Sequence, residues 1–181
     1  MEKFKAEKNE SLEVNSKAYL KQEGMRSQLE WIKRQLEYAS FSEKFSLRYN
    51  LKRGEIYEVD WGINVNAEFS NRHFALVLKD SDELNPLVIV CPLKSNHSGA
   101  HWKSDVDLGF IEELSTTSRT IAVINQVRTI DKLRIYMKRI IGVSDISKIN
   151  ELNRYQENAI IRLETYKLNM VINAYKRYLF E

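Results

Sequence analysis

The apolar positions of this chain change their period along its length. Between Met25 and Ala39 they fall at Met25, Leu29, Ile32, Leu36 and Ala39, with Trp31 and Tyr38 beside the stripe. That is helical spacing, and it predicts a helix over about 25–39 that begins near Gly24 or Ser27, with an earlier one around 13–23. Residues 1–16 are charged and aperiodic. From Gly54 the period shortens. Ile56, Val59 and Trp61 stand among charged residues and predict a strand over 54–61, followed by a polar loop over 62–71 in which Asn64 and Asn66 tolerate left-handed backbone. The runs 74–78 and 87–93 are almost continuously apolar, as expected of strands covered on both faces, and Asn85-Pro86 marks the turn between them.

Beyond this, 97–103 reads as a loop and 104–110 as a weakly alternating strand. The β-branched Ile121, Val123 and Ile124 predict a strand that runs straight into Asn125, Gln126, Arg128, Thr129, Asp131 and Lys132. A core strand ending in polar side chains at a rim is where binding sites tend to be built. Ser144-Asp145 offers an N-cap, and Ile146, Ile149, Leu152, Ala159, Ile160, Leu163 and Leu168 follow at broadly helical spacing, predicting helix over 145–179. Asn150, Asn153, Asn158 and Asn169 are poor helix formers and favour a break. The last apolar stretch, 171–180, offers too little surface to stand alone and is expected to pack on the N-terminal arm or on a second protomer.

Several short strands joined by tight turns predict a small, strongly curved antiparallel sheet or barrel in an α+β chain. The expected divisions are a helical arm over 1–50, a barrel domain over 51–143 and a C-terminal helical segment over 144–181. Composition narrows the function only a little. With 181 residues the chain can bury an ordinary domain core, and the net charge of +3 is compatible with a polyanionic partner without demanding one. The lone Cys91 sits in an apolar run and reads as a packed thiol in a reducing compartment. No apolar run approaches the length of a membrane span, and the first residues lack a signal-peptide core, so a soluble, cytoplasmic protein is expected. His97 and His101 are spaced i, i+4 but have no third ligand type beside them, so no metal site is predicted.

Three segments then acquire a joint meaning. RGEIYEVDWGINVNAEFSNRHFALVLKD (53–80) has an Arg-Gly opening, a short amphipathic strand and a polar loop ending in Glu-x-x-x-Arg; LNPLVIVCPLKS (84–95) ends a hydrophobic strand in Pro-Leu; NQVRTIDK (125–132) follows later. Their order and separation over about 51–143 resemble the MazF/PemK/Kid family of toxins. The resemblance implies an SH3-like antiparallel β-barrel of the MazF/PemK/CcdB kind, acting as a homodimer, with a cognate antitoxin protein as partner. It implies a sequence-specific endoribonuclease, an mRNA interferase of a type II toxin–antitoxin system, that cuts single-stranded RNA by attack of the 2′-hydroxyl on the adjacent phosphate. No metal or other cofactor is implied.

On that resemblance, Arg72 matches the arginine closing the first loop, a forked cation suited to two phosphate oxygens. Glu68 matches the family's loop glutamate and takes or orients a proton. The family's hydroxyl position falls on Lys94 with Ser95 next to it, so either Ser95 supplies the hydroxyl after a local shift or Lys94 replaces it with a cation. Glu68 and Arg72 have three residues between them where several members have four, and His73 stands where a proline usually follows. Gln126 would face the RNA near the cleaved phosphate, with Arg128 more peripheral or paired to Asp131. His73 is placed to move a proton beside Arg72, Asn71 adjoins them, and Phe69, Trp102 and Trp61 are candidate base-stacking rings, Trp61 more readily read as core. The N-terminal arm holds ten Lys/Arg against eight Glu, unlike the acidic segments that silence such toxins, so helix packing is favoured over a built-in plug. The alternative function is a catalytically silent fold of the same kind, serving as an RNA- or protein-binding regulatory module.

Overall fold

The computed structural model describes residues 24–39, 50–96, 102–135 and 160–181. The chain separates into two compact units, Met1–Phe45 and Ser46–Glu181. The first contains helix α1, residues 24–39, close to the span that the helical stripe predicts. Its Met25, Leu29, Ile32 and Leu36 are exposed, whereas Trp31 is buried, with Tyr38 edge-on to its ring and the Arg34 guanidinium over it.

The second unit is a curled antiparallel sheet. Its strands are β1 (Glu55–Asp60), β2 (Arg72–Val77), β3 (Leu87–Asn96), β4 (Val106–Asp107), β5 (Arg119–Ala122), β6 (Arg128–Asp131) and β7 (Ile161–Arg162), and helix α2 spans Thr165–Phe180. Neighbours run β4-β5-β3-β2-β1-β7, with β6 also pairing with β3. The long strand β3 joins the parts: it meets β6 over Leu87–Val90, β2 over Val90–Pro92 and β5 over Leu93–Asn96.

Strand alternation divides the core into two clusters. Ile56 of β1, Leu76 of β2, Cys91 and Leu93 of β3 and Ala122 of β5 pack with Leu168, Val171 and Ala174 of α2. Tyr57, Val59 and Trp61 pack instead with Ala75, Val77, Val88, Val90 and Ile130. Both faces of the sheet are covered, which is why the central strands read as continuous apolar runs. The buried face of α2 therefore lies against its own sheet, not in wait for a second protomer as its small apolar surface suggests.

Three elements differ from the sequence reading. The polar stretch after Ile124 is not a strand end: Ile124–Gln126 makes one 3-10 turn, and the chain returns to the sheet as β6. The strand expected over 104–110 shrinks to two residues. Ile161 and Arg162, expected on a helix, form β7 against Ile56 and Glu55. Behind this edge, Glu55 is buried and its carboxylate takes bonds from the Tyr57 hydroxyl (2.9 Å), the Lys52 amide (2.7 Å) and Arg162 (3.2 Å). Gly54 makes the junction fit: its φ is 93°, its carbonyl accepts from the Leu163 amide at 2.8 Å, and a β-carbon there would lie 3.3 Å from Leu168. The N-cap expected at Ser144-Asp145 and the His97–His101 pair lie outside the described residues. Among the described residues, no helix is long and apolar enough to cross a membrane.

Candidate active site

Antiparallel register brings Asp60 opposite Arg72, Val59 opposite His73 and Glu58 opposite Phe74. Since side chains alternate, Glu58, Asp60, Arg72 and Phe74 share one face of the β1–β2 pair and His73 belongs to the other. At the far end of β3, Lys94 lies opposite Ile121 and Ser95 opposite Thr120. These two strand pairs enclose a cavity of about 220 Å³. Its polar lining is Glu58, Arg72, His73, Lys94, Ser95, Ser115 and Thr120, and its apolar lining is Phe74, Leu93 and Leu114. Arg72, Lys94 and Ser95 are thus gathered as the motifs suggest.

Lys94 has a specific anchor. Its ammonium lies 2.7 Å from Oδ2 of Asp105, whose side chain is 0% exposed against 32% for Lys94. The same Oδ2 accepts the Trp102 amide at 3.2 Å, and the Asp105 amide donates back to the Trp102 carbonyl at 2.8 Å. Oδ1 is buried and has no hydrogen-bond partner among the described residues. The Cys91 thiol is pushed up to about 12, chiefly by burial and further by the Asp105 charge, and is inert as a nucleophile.

His73 also lines the cavity, yet its ring meets Phe69 edge-on with centroids 4.6 Å apart, and Phe69 in turn packs on Trp61 at 5.6 Å. Loss of hydration in this stack lowers the His73 pKa from its usual value. Trp61 is fully buried, so it is core, not a base-stacking surface. Trp102 is 73% exposed at the turn that holds Asp105.

Glu68 is elsewhere. It lines a second, more open groove of about 570 Å³ with Val65, Asn66, Asn125, Gln126 and Arg128. Its carboxylate accepts the Val65 amide at 3.2 Å within the loop's own turn. Gln126 binds the same loop with both ends of its amide: Oε1 accepts from the Phe69 amide at 2.6 Å and Nε2 donates to the Ala67 carbonyl at 2.9 Å. Arg128 does not pair with Asp131. It stacks 4.7 Å from the Trp61 ring centre and points Nη2 at the Trp61 carbonyl, 3.4 Å away, while the Asp131 carboxylate caps the Leu133 amide. Burial, then the nearby Arg134 charge, lower the Arg128 pKa. Asn66 and Asn71 take left-handed backbone, φ 50° and 65°, whereas Asn64 uses its amide to bind the Trp61 and Phe69 carbonyls. Asn71 closes the loop onto Gly62 and Trp61 through its backbone.

Residues 52–156, more than half of the chain, match the model of the PemK-like, MazF-like toxins of type II toxin–antitoxin systems. The chain belongs to that family. No curated protein matches it by sequence. Among solved structures it is similar to MazF from Deinococcus radiodurans, at 15% identity over 74% of this chain and 99% of that one, with a TM-score of 0.45. It is also similar to an endoribonuclease in complex with its cognate antitoxin from a mycobacterial species, at 16% identity over 60% and 93% of the two chains, with a TM-score of 0.33.

For this MazF-like chain, the sequence reading missed Glu58, Thr120 and Asp105. Glu58 was legible in principle, as a charged residue within a strand whose other positions are apolar or buried. What it faces depends on the β1–β2 register. Among the described residues, no three His, Cys, Asp or Glu side chains are grouped at metal-ligand distance.

Proposed function

We propose that this member of the MazF/PemK family is an endoribonuclease that cuts single-stranded RNA in the cavity between β1–β2 and β3–β5. The observation that carries the reading is that one small cavity holds a carboxylate, a guanidinium, an ammonium and several hydroxyls: Glu58, Arg72, Lys94, Ser95, Ser115 and Thr120. Cleavage by a neighbouring 2′-hydroxyl needs a base for its proton, donors for the charge that develops on phosphorus-bound oxygen, and a donor at the leaving 5′-oxygen. Glu58 is the carboxylate that lines the cavity with Arg72, and it serves as the base. Arg72 offers a bidentate fork to the non-bridging oxygens, and Lys94 adds a second cation. Ser95 and Thr120, opposite each other across β3 and β5, present hydroxyl donors at the same wall. The 2′-hydroxyl proton passes to Glu58, the 2′-oxygen attacks phosphorus, and the bond to the 5′-oxygen breaks as that oxygen takes a proton from water, leaving a 2′,3′-cyclic phosphate and a 5′-hydroxyl.

Phe69 and Gln126 act in this scheme by shaping the loop, while the exposed Trp102 is the ring available to stack on a base. We further propose that the active form is a homodimer that a cognate antitoxin silences. The exposed apolar residues of α1 and of the α2 end, Tyr178, Leu179 and Phe180, motivate the first part and family membership the second.

The test is incubation of the purified protein with a long mixed-sequence RNA in excess EDTA. Fragments with cyclic phosphate and 5′-hydroxyl ends are expected, and activity that returns only with magnesium would overturn the mechanism. A protein that binds RNA or another protein and never cuts would favour the silent-module reading, which draws on the ion-paired Lys94 at the family's hydroxyl position. A monomeric mass by light scattering at micromolar concentration would remove the dimer.

A further inference from the structure

We infer that Asp105 is a positioning residue: it fixes the Lys94 ammonium on the cavity wall as a preset cation for the RNA phosphate. The inference rests on the endoribonuclease reading and deepens it, because it assigns the position where the family's hydroxyl would fall to an oriented charge.

The geometry is asymmetric. One end of the pair, Asp105, is completely buried; the other, Lys94, is partly exposed and lines the cavity with Arg72. Asp105 is itself immobilised by the turn it makes with Trp102, each donating a backbone amide to the other residue. Of the three N–H donors on the ammonium, one is directed at Asp105, and the described residues offer no acceptor to the other two. They remain for a ligand in the cavity.

As a source of stability this arrangement is poor. Taking a carboxylate out of water is costly, an apolar pair of equal volume often does as well or better, and here Oδ1 lacks any hydrogen-bond partner among the described residues. What the pair achieves is orientation. A lysine carries its charge on a flexible four-carbon stem, and an unanchored ammonium would sample many positions before meeting the phosphate. Held from behind by a rigid carboxylate, it is in place before the transition state forms. The buried carboxylate also offsets part of the cavity's positive charge, so two cations can line one cavity without expelling each other.

The test compares wild type, Asp105→Asn, Lys94→Met and the double variant Lys94→Met/Asp105→Asn in RNA cleavage, with folding checked by circular dichroism. Asp105→Asn keeps the shape and removes the charge. It is expected to lower kcat on the order of tenfold to a hundredfold, the scale of a small misplacement of a catalytic group, with KM nearly unchanged. In the Lys94→Met background the same change should cost nothing further, because a positioning residue has nothing left to position. The double variant removes both charges and strands neither. If Asp105→Asn does not fold, Asp105→Glu keeps the charge but displaces it by one methylene. Positioning then predicts a lower kcat per folded molecule, and a purely structural role predicts the wild-type value.

If the wild type cuts RNA and Asp105→Asn cuts as fast, or loses equally in both backgrounds, the positioning role is overturned and the function stands. If the wild type does not cut at all, the function and this inference fall together.

Discussion

The cavity around Arg72 and the groove around Gln126 are built from the same kinds of side chain, a glutamate, an arginine and polar amides or hydroxyls, and both border the β1–β2 loop or its strands. In the groove those groups are tied to the protein. Both ends of the Gln126 amide bind loop backbone, Arg128 is stacked on Trp61, and the Glu68 carboxylate holds a turn. In the cavity the Glu58 carboxylate and the Ser95 hydroxyl have no hydrogen bond to any described residue, and Lys94 keeps donors to spare. A motif read along the chain does not separate these situations. The register and loop path that decide which polar group has already found a partner do.

By that contrast, changes in the cavity should alter rate with little effect on stability, and changes in the groove should do the reverse. The largest effect is expected from Glu58→Gln, which keeps the shape and removes the base. Cleavage should slow by roughly 10²–10⁴, the usual contribution of general base catalysis, with the urea midpoint unchanged. Wild-type cleavage by this variant would return the base to Glu68. Arg72→Ala comes next. Loss of one preorganised donor costs about 10²–10³ in kcat, and Arg72→Lys should recover little because a point charge cannot form the fork.

Gln126→Ala turns the comparison around. Two bonds to the loop disappear, at about 0.5–1.5 kcal/mol each, and this should appear as a lower urea midpoint; any fall in cleavage should be reversed by conditions that stabilise the loop. An unchanged midpoint with lost cleavage would mean that Gln126 meets the RNA directly. Ser95→Ala is a smaller change within the cavity, expected to slow cleavage by less than about tenfold if Lys94 holds the phosphate, and by about 10²–10³ if the serine hydroxyl does.

The smallest effect concerns pH. The His73 pKa is lowered in the folded chain, so at pH values below the ordinary histidine value the unfolded chain binds the proton more readily. Stability present above about pH 6.5 is therefore partly lost as pH falls, and the loss stops growing below the folded pKa. Unfolding measured between pH 7.5 and pH 5 should show this slope, and His73→Gln should flatten it. A slope unaffected by the substitution would move its origin to other groups.

Much of the sheet was legible because its physics is local. Apolar runs set β2 and β3, Asn85-Pro86 set the turn, and the ordered motifs brought Arg72 near Lys94 and Ser95. The failures occurred where one pattern fits two structures. Ile160 and Leu163 are three apart, a helical interval, yet two residues of strand are too few to show alternation, and β7 passed as helix. The run after Ile124 looked like a strand leaving the core, since a single 3-10 turn has no signature strong enough to announce the return in β6. Glu68 was expected beside Arg72 from the family resemblance. The loop places the glutamate at the other groove, and its left-handed backbone at Asn66 and Asn71 is permitted by sequence but not dictated.

The pairing of β1 with β7 also places the protein on a clock. At roughly 5–20 residues per second, the ribosome completes Ile161 about 5–20 s after Ile56, its partner in the sheet. Throughout that interval one edge of β1 lacks its strand, and Ile56, Leu76 and Leu93 lack the cover that α2 gives them through Leu168, Val171 and Ala174. The walls of the cavity are translated early and the seal behind them late. A nascent chain thus carries the side chains of the cavity before it carries the fold that aligns them.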